Sequence, residues 1–229
     1  IASEQGCNQI GVDIEDVVQQ LKTDNIKYVD TGKHDDLFGE RYLFYSQEHK
    51  LGLLPYVLKK LFLKRVEINR ALKAGEYVGD EAVAMDKRQW AYKLILNSAY
   101  GAMGFNFFRL YKPEVADAIT FFARQALKFA VLEFQGYGHK TLYGDTDSIF
   151  VKSEGKTESE MVEQLEIFNQ SLKENLVKKY NTGLQDEYMM MDLKFEYDME
   201  KIYFGNSKKR YYGIVRNTGK KYIRGMNII

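Results

Sequence analysis

Two aspartates, Asp145 and Asp147, stand one residue apart between two short apolar runs, in the segment Thr-Leu-Tyr-Gly-Asp-Thr-Asp-Ser-Ile-Phe-Val at 141–151. Gly144 permits a tight reversal, and aspartate suits turns because its side chain can bond nearby backbone. The pattern predicts a β-hairpin with both acids at its tip. Carboxylates this close repel each other, and a bound hard cation such as Mg²⁺, Mn²⁺ or Ca²⁺ offsets the repulsion. The simpler alternative is a solvated turn.

Composition narrows the possible classes of protein. The chain has 229 residues, 45% of them hydrophobic, which is enough for one or two packed domains. The net charge of +1 provides no whole-molecule attraction to nucleic acid, and one cysteine excludes an internal disulfide. No apolar run is long enough to span a membrane, and no signal peptide is visible. Because the chain starts with Ile1 and ends in a strand-like run, we expect an excerpt of a longer polypeptide.

The first 50 residues carry no recognisable chemistry. Helical spacing predicts a helix over Asp13–Leu21 with Asp13 as its cap. An aromatic run predicts a strand within 41–46, and the polar stretch 33–36 before it predicts a loop.

Two long helices are predicted next, one from Gly52-Leu53-Leu54-Pro55 to about Lys73 and one that follows a turn at Gly79-Asp80 and runs to about Ala99. The short link between them implies an antiparallel pair. Arg65 falls on the apolar stripe of the first helix. It either extends out of a packing seam or holds a phosphate in a cleft.

Polar and aromatic residues share one face of the second helix, at steps of four, four, three and one: Gln89, Lys93, Asn97, Tyr100 and Gly101. Lysine and asparagine one turn apart can both donate to phosphate oxygens. Tyrosine at the helix end offers a flat surface, and the glycine beside it allows a base to approach closely. A plain solvated helix face is the alternative interpretation.

The remaining elements form a scaffold followed by a basic stretch. A third helix is predicted over 114–134 with an apolar stripe of Val115, Ile119, Phe122, Ala126 and Phe129. A capping box, Thr157 to Glu160, opens a fourth. Strict alternation over 189–200 predicts a half-buried strand, whose acidic face could bring Glu196 near the hairpin acids. After a turn at Gly205-Asn206, eight lysines and arginines lie between 201 and 224 with interleaved tyrosines, a pattern that suits a nucleic-acid backbone.

Four motifs in this order and spacing resemble the polymerase core of family B (α-like) DNA polymerases. Tyr-Gly-Asp-Thr-Asp-Ser at 143–148 is similar to that family's motif C, and Lys-x-x-x-Asn-Ser-x-Tyr-Gly at 93–101 is similar to motif B. Lys-Lys-Arg-Tyr at 208–211 matches the element that grips the primer–template duplex. Gly-Leu-Leu-Pro at 52–55, followed by Arg65, resembles the first fingers helix.

The resemblance implies template-directed transfer of nucleotides from dNTPs to a primer 3′-hydroxyl, with two Mg²⁺ ions, or Mn²⁺ in their place. It implies that Asp147 is a metal ligand and that Asp145 is a ligand or an electrostatic support. Arg65, Lys93 and Asn97 would hold the triphosphate, with Tyr100 and Gly101 at the nascent base pair. Duplex DNA would be held by five residues: Lys208, Lys209, Arg210, Tyr211 and Arg224.

One departure from the family pattern is that the motif A aspartate, followed by Ser-Leu-Tyr-Pro-Ser, is absent, and Ile1-Ala2 looks like the residues just after it. The thumb and the exonuclease domain are absent as well. We therefore expect that these 229 residues alone do not polymerise. The rest of the polymerase would lie in the same chain or in a partner chain, as in split polymerases. A processivity clamp is a further expected partner.

The expected fold class is α/β of the α+β type: an antiparallel palm sheet backed by helices, with an inserted antiparallel helix pair as fingers. The expected domains are a linking segment at 1–50, fingers at 51–113 and palm at 114–229. We expect a soluble intracellular protein of cytoplasm or nucleus, and a viral origin is open.

The competing functions are a nucleic-acid-binding module without catalysis and a palm-type cyclase or other nucleotidyl transferase. A cyclase needs no duplex grip, which the Lys-Lys-Arg-Tyr element supplies.

Overall fold

The computed structural model of this protein describes residues 2–32, 41–46, 52–180 and 191–225. Helices and antiparallel strands both contribute, so the described chain has an α+β fold. It divides into two compact units within one long helix, between Phe122 and Ala123. The first unit consists of the described residues up to Phe122 together with 176–180, the end of a later helix. The second unit consists of 123–175 and 191–225. Within the described parts, no helix has the length and apolar character that crossing a bilayer requires.

The first unit begins with a small sheet and two helices, in the order β1 (Ala2–Ser3), α1 (Glu4–Gln9), α2 (Ile14–Thr23), β2 (Tyr28–Asp30) and β3 (Tyr42–Tyr45). The strands pair antiparallel in the order β1-β3-β2. Their core is a buried cluster of Cys7, Ile14, Val18 and Leu43. Asp13 caps α2 by accepting a 2.9 Å hydrogen bond from the Glu15 N–H. The predicted helix and strand are confirmed, and the loop predicted at 33–36 lies outside the described residues.

Two long helices follow, α3 (Leu53–Lys73) and α4 (Gly79–Met103). Only residues 74–78 separate them, and the helices pack against each other as the predicted antiparallel pair. Helix α4 continues about one turn beyond the predicted end near Ala99, through Gly101 to a cap at Gly104. Burial of the Met103 side chain explains the extra turn, since packing outweighs the weak helix propensity of one glycine.

The second unit contains most of α5 (Pro113–Gly136), then β4 (Lys140–Asp145), β5 (Ser148–Lys152), most of α6 (Glu158–Tyr180), β6 (Met199–Phe204), β7 (Tyr211–Val215) and β8 (Lys221–Arg224). Its strands form two antiparallel sheets, β4-β5 and β6-β7-β8. The described strands thus belong to three separate small sheets rather than to one. The predicted capping box is confirmed, because Glu160 accepts from the Thr157 N–H at 2.7 Å and donates its own N–H to the Thr157 hydroxyl at 3.3 Å.

The buried face of α5 differs from the predicted stripe. Ile119, predicted to be inside, is 43% exposed, whereas Phe121 is completely buried. The other buried side chains of α5 are Ala116, Ala118, Ala130 and Phe134. Apolar residues occur on several sides of this helix, so spacing alone did not select the face that packs.

The strand predicted over 189–200 is wrong for 191–198, which form no strand, and residues 189 and 190 lie outside the described residues. Only Met199 and Glu200 of this run belong to a strand, at the start of β6. Asn169 on α6 provides the physical reason. Its side-chain amide donates to the Leu193 carbonyl and accepts from the Leu193 N–H, both at 2.9 Å. A side chain therefore takes the place of a neighbouring strand.

Candidate active site

The acidic turn is a two-residue β-hairpin. Asp145 pairs with Ser148 across the strands, so Thr146 and Asp147 form the loop. The hairpin prediction is confirmed, but Gly144 is not the residue that reverses the chain. Gly144 lies within β4 opposite Ile149, and Thr146 adopts the left-handed conformation at φ +57°. The Asp147 N–H closes the turn by donating to the Asp145 carbonyl at 2.6 Å.

The two carboxylates differ in their surroundings. Asp147 is exposed, whereas the Asp145 side chain is only 20% exposed. Oδ1 of Asp145 accepts a 2.9 Å hydrogen bond from the Thr146 hydroxyl. It also lies 3.5 Å from the ammonium nitrogen of Lys209. One carboxylate is therefore held in place by neighbours, and the other is free to reorient toward solvent.

The donor chemistry at this hairpin fits a hard divalent cation, because Mg²⁺ binds through one or two carboxylates and keeps several waters. The described residues contain no group of three or more histidines, cysteines or acids placed to hold a metal ion. Glu196, which the sequence offered as a neighbour of the two acids, is exposed and belongs to no such group. Within the described chain, the hairpin supplies two carboxylates and not a closed cage.

The three basic residues of the Lys-Lys-Arg-Tyr segment lie in the loop between β6 and β7, and its tyrosine, Tyr211, begins β7. The Gly205 N–H donates to the Arg210 carbonyl at 2.8 Å, which closes the loop. Lys209 has a left-handed backbone, at φ +63°, and its N–H donates to the Tyr143 hydroxyl at 2.9 Å. Lys208 and Arg210 are exposed. The structure thus brings the predicted duplex-binding loop directly against the acidic hairpin.

Tyr211 occupies a different place from the rest of this segment. It is only 6% exposed and belongs to an aromatic cluster that joins the two sheets of this unit, with Tyr143, Phe150, Phe204 and Tyr222. Burial raises the pKa of the Tyr211 phenol above its ordinary value, and the neighbouring Tyr222 adds to the rise. Its ring is thus packed inside the protein, where it supports the loop. Arg224, at the end of β8, is exposed and lies 6.0 Å from the centre of the Tyr222 ring.

Sequence reasoning missed two residues that lie against Lys209: Tyr143 and Gly225. The Tyr143 hydroxyl receives the Lys209 N–H, although the sequence marked only its position beside the acids. A Cβ on Gly225 would overlap the Lys209 carbonyl oxygen, and Gly225 has φ +59°. Glycine at 225 therefore satisfies a close approach and a left-handed backbone together. Its position directly after Arg224 was the only available signal.

In the first unit, Arg65 faces α4 instead of extending out into solvent. Its Nε donates to Oε1 of Gln89 at 3.3 Å, and the Gln89 amide in turn donates to Asp86 at 2.9 Å. Gln89 is buried in the seam between the two helices, at 8% exposure. The guanidinium is therefore partly buried and oriented by α4.

The remaining motif B residues form an open face on α4. The Lys93 ammonium lies 4.8 Å from the centre of the Trp90 ring, a contact the sequence did not suggest. Asn97 is exposed, Tyr100 is 45% exposed, and a Cβ on Gly101 would meet no atom within 4 Å. This face offers donors and a flat ring to a ligand, and it belongs to the first unit, whereas the acids belong to the second.

The known proteins that this chain resembles point to one family. The profile of DNA polymerase family B matches residues 15–229. DNA polymerase 2 of Aeropyrum pernix is 29% identical over 184 residues, which make up 77% of this chain and 20% of that protein. The DNA polymerase alpha catalytic subunit of Mus musculus is 30% identical over 186 residues, 79% of this chain and 12% of that protein. The DNA polymerase of Trichoplusia ni ascovirus 2c is 41% identical over 102 residues, 44% of this chain and 10% of that protein. The chain thus spans about a fifth or less of the length of these relatives.

Proposed function

The chain belongs to DNA polymerase family B, and we propose that it is the palm-and-fingers part of a DNA-directed DNA polymerase. The observation that carries this proposal is the contact of Lys209 with both Tyr143 and Asp145. It sets a basic loop suited to a nucleic-acid backbone beside a pair of metal-binding acids. Such an arrangement suits chemistry at the end of a bound strand and has no evident use in a cyclase.

Asp147 and Asp145 are the proposed metal ligands. Mg²⁺, as a pair of ions, would activate the primer hydroxyl and neutralise the triphosphate and the departing pyrophosphate. Asp147 is exposed on the two-residue loop and is free to orient toward an ion, whereas Asp145 is fixed by Thr146 and Lys209. These differences support Asp147 as a direct ligand and Asp145 as its ligand or electrostatic support.

We propose that three polar side chains hold the triphosphate of the incoming dNTP: Arg65, Lys93 and Asn97. Lys93 and Asn97 stand one turn apart on the same face of α4, and both can donate to phosphate oxygens. Arg65 is oriented by Gln89, which leaves it less conformational entropy to lose on binding. The exposed ring of Tyr100 and the open backbone at Gly101 suit contact with the nascent base pair.

We propose that four basic residues hold the primer–template duplex through its phosphates: Lys208, Lys209, Arg210 and Arg224. Contacts with phosphates position DNA without reading its sequence. Tyr211 contributes from inside the protein, through the aromatic cluster beneath the loop.

A further acid outside these residues, together with thumb and exonuclease domains, would complete the enzyme. The 229 residues alone are therefore proposed to be inactive. A processivity clamp and a location in cytoplasm or nucleus remain predictions.

Two assays on primed DNA test this function, with the complete polypeptide that contains this chain. Incorporation of dNTPs together with duplex binding is the expected result. Duplex binding without incorporation under any metal condition would favour the catalytically inactive binding module. Neither binding nor incorporation would contradict both. Robust primer extension by the isolated 229 residues would contradict the proposal that a further acid is needed.

A further inference from the structure

Two groups, one hydroxyl and one ammonium, converge on one oxygen at the acidic hairpin. Oδ1 of Asp145 accepts from the Thr146 hydroxyl at 2.9 Å and lies 3.5 Å from Nζ of Lys209. The same ammonium lies 3.4 Å from the Thr146 hydroxyl oxygen. Lys209 is therefore a cation already in place beside one of the proposed metal ligands.

An exposed ion pair by itself stabilises a protein little and is often incidental. Lys209 differs from an ordinary surface lysine because its backbone is held on two sides. Its N–H is bound by the Tyr143 hydroxyl, and its carbonyl lies where only a glycine at 225 leaves room. Its left-handed conformation at φ +63° is unfavourable for a lysine, so surrounding contacts must maintain it. Those contacts direct the side chain toward the hairpin.

We propose that Lys209 is the built-in counter-cation of the acidic hairpin and couples metal binding to duplex binding. Without a divalent cation, its ammonium neutralises Asp145. When a cation binds the two acids, the ammonium is repelled from Oδ1 and becomes available to a DNA phosphate. This inference rests on the proposed function of the hairpin as a metal site. Because such coupling is reciprocal, bound DNA must then also favour bound metal.

The charge of Lys209 predicts a measurable effect on metal affinity. Two unit charges about 4 Å apart repel by about 1 kcal/mol even at the dielectric constant of water, and a divalent ion doubles that repulsion, so removal of the ammonium tightens binding at least about fivefold. We would titrate the complete polypeptide with Mn²⁺ alone and follow free Mn²⁺ by electron paramagnetic resonance. The variants are Lys209→Met, Lys209→Arg and, as a matched control, Lys208→Met in the same loop.

The inference predicts tighter Mn²⁺ binding for Lys209→Met, an affinity close to wild type for Lys209→Arg, and a change below about twofold for Lys208→Met. Unchanged or weaker binding by Lys209→Met would overturn it, and so would an equal gain in both Met variants. Circular dichroism of each variant would be recorded to check that it is folded. If wild type binds no Mn²⁺ at all, the metal site itself fails; if it binds with no effect of Lys209, only this inference fails.

Duplex affinity provides a second readout, measured without dNTPs and with or without Mn²⁺. The inference predicts that Mn²⁺ increases wild-type affinity for primed DNA more than it does that of Lys209→Met. An equal metal effect in the two proteins would contradict the proposed coupling.

Discussion

The main-chain N–H of Lys209 donates a 2.9 Å hydrogen bond to the hydroxyl of Tyr143, 66 residues earlier in the chain. The Tyr143 ring is itself packed 5.1 Å from the Phe204 ring, centre to centre. An aromatic core therefore fixes the hydroxyl, and the hydroxyl fixes the basic loop. We infer that the acidic hairpin and the loop between β6 and β7 are held as one rigid part of the site.

Salt dependence tests the role of the exposed cations in this loop. Lys208→Met and Arg210→Met are each expected to weaken duplex binding and to lower the slope of log affinity against log salt by about one unit, since each removes one phosphate contact. Lys152→Met is the control, because Lys152 lies at the end of the β4–β5 hairpin away from the acids. Slopes unchanged in both loop variants would exclude phosphate contacts there.

Gly225→Ala should destabilise the protein through a collision with the Lys209 carbonyl oxygen. Gly219→Ala is a matched control, because Gly219 also has a positive φ, of 63°, but an added Cβ meets nothing within 4 Å. The left-handed backbone costs about 1–2 kcal/mol in either variant. The collision should add about 1–3 kcal/mol at 225 alone. Equal losses in the free energy of unfolding, measured with urea, would argue against the close approach.

Asn169→Ala should lower the free energy of unfolding by about 1–3 kcal/mol, because it leaves both backbone groups of Leu193 without their partner. Asn175→Ala, on the same helix, removes only exposed bonds to the Ser171 carbonyl and hydroxyl and should cost about 0.5 kcal/mol or less. Hydrogen exchange at the Leu193 amide should also become faster in Asn169→Ala. An unchanged exchange rate would show that Asn169 does not hold this segment.

Alkaline unfolding tests the burial of Tyr211. Because burial raises the pKa of its phenol above 10.0, the folded state keeps the proton at pH values where the unfolded state has lost it. This contribution to stability is complete below about pH 10 and declines as pH rises further. Tyr211→Phe should therefore reduce the decline, whereas Tyr203→Phe, at a tyrosine that is 61% exposed, should not. Identical pH profiles for wild type and Tyr211→Phe would contradict this account.

Sequence reasoning succeeded where a local signal determines local structure. Turn chemistry predicted the acidic hairpin, the Thr157–Glu160 box marked the start of α6, and short linkage predicted the α3–α4 pair. The family resemblance, based on four short motifs, agrees with a profile match over 15–229.

The sequence could not predict features that depend on contacts distant in the chain. The run over 191–198 alternates like a strand, but the amide of Asn169 satisfies its backbone at Leu193. Burial of Met103 extends α4 beyond the expected end. Packing, not periodicity, selected the buried face of α5. The contacts of Lys209 with Tyr143 and Gly225 likewise join residues with no pattern in common.

The central claim is that the hairpin acids catalyse nucleotide addition, and primer extension by the complete polypeptide tests it most directly. Wild type would be compared with Asp147→Asn in Mg²⁺ and dNTPs, with Asp16→Asn on α2 as an exposed control of the same chemistry. Since a catalytic metal contributes several kcal/mol, Asp147→Asn should lower the extension rate at least about a hundredfold while duplex binding persists. Asp16→Asn should extend like wild type. Unchanged extension by Asp147→Asn would mean that the hairpin is only a turn and that the chemistry lies elsewhere.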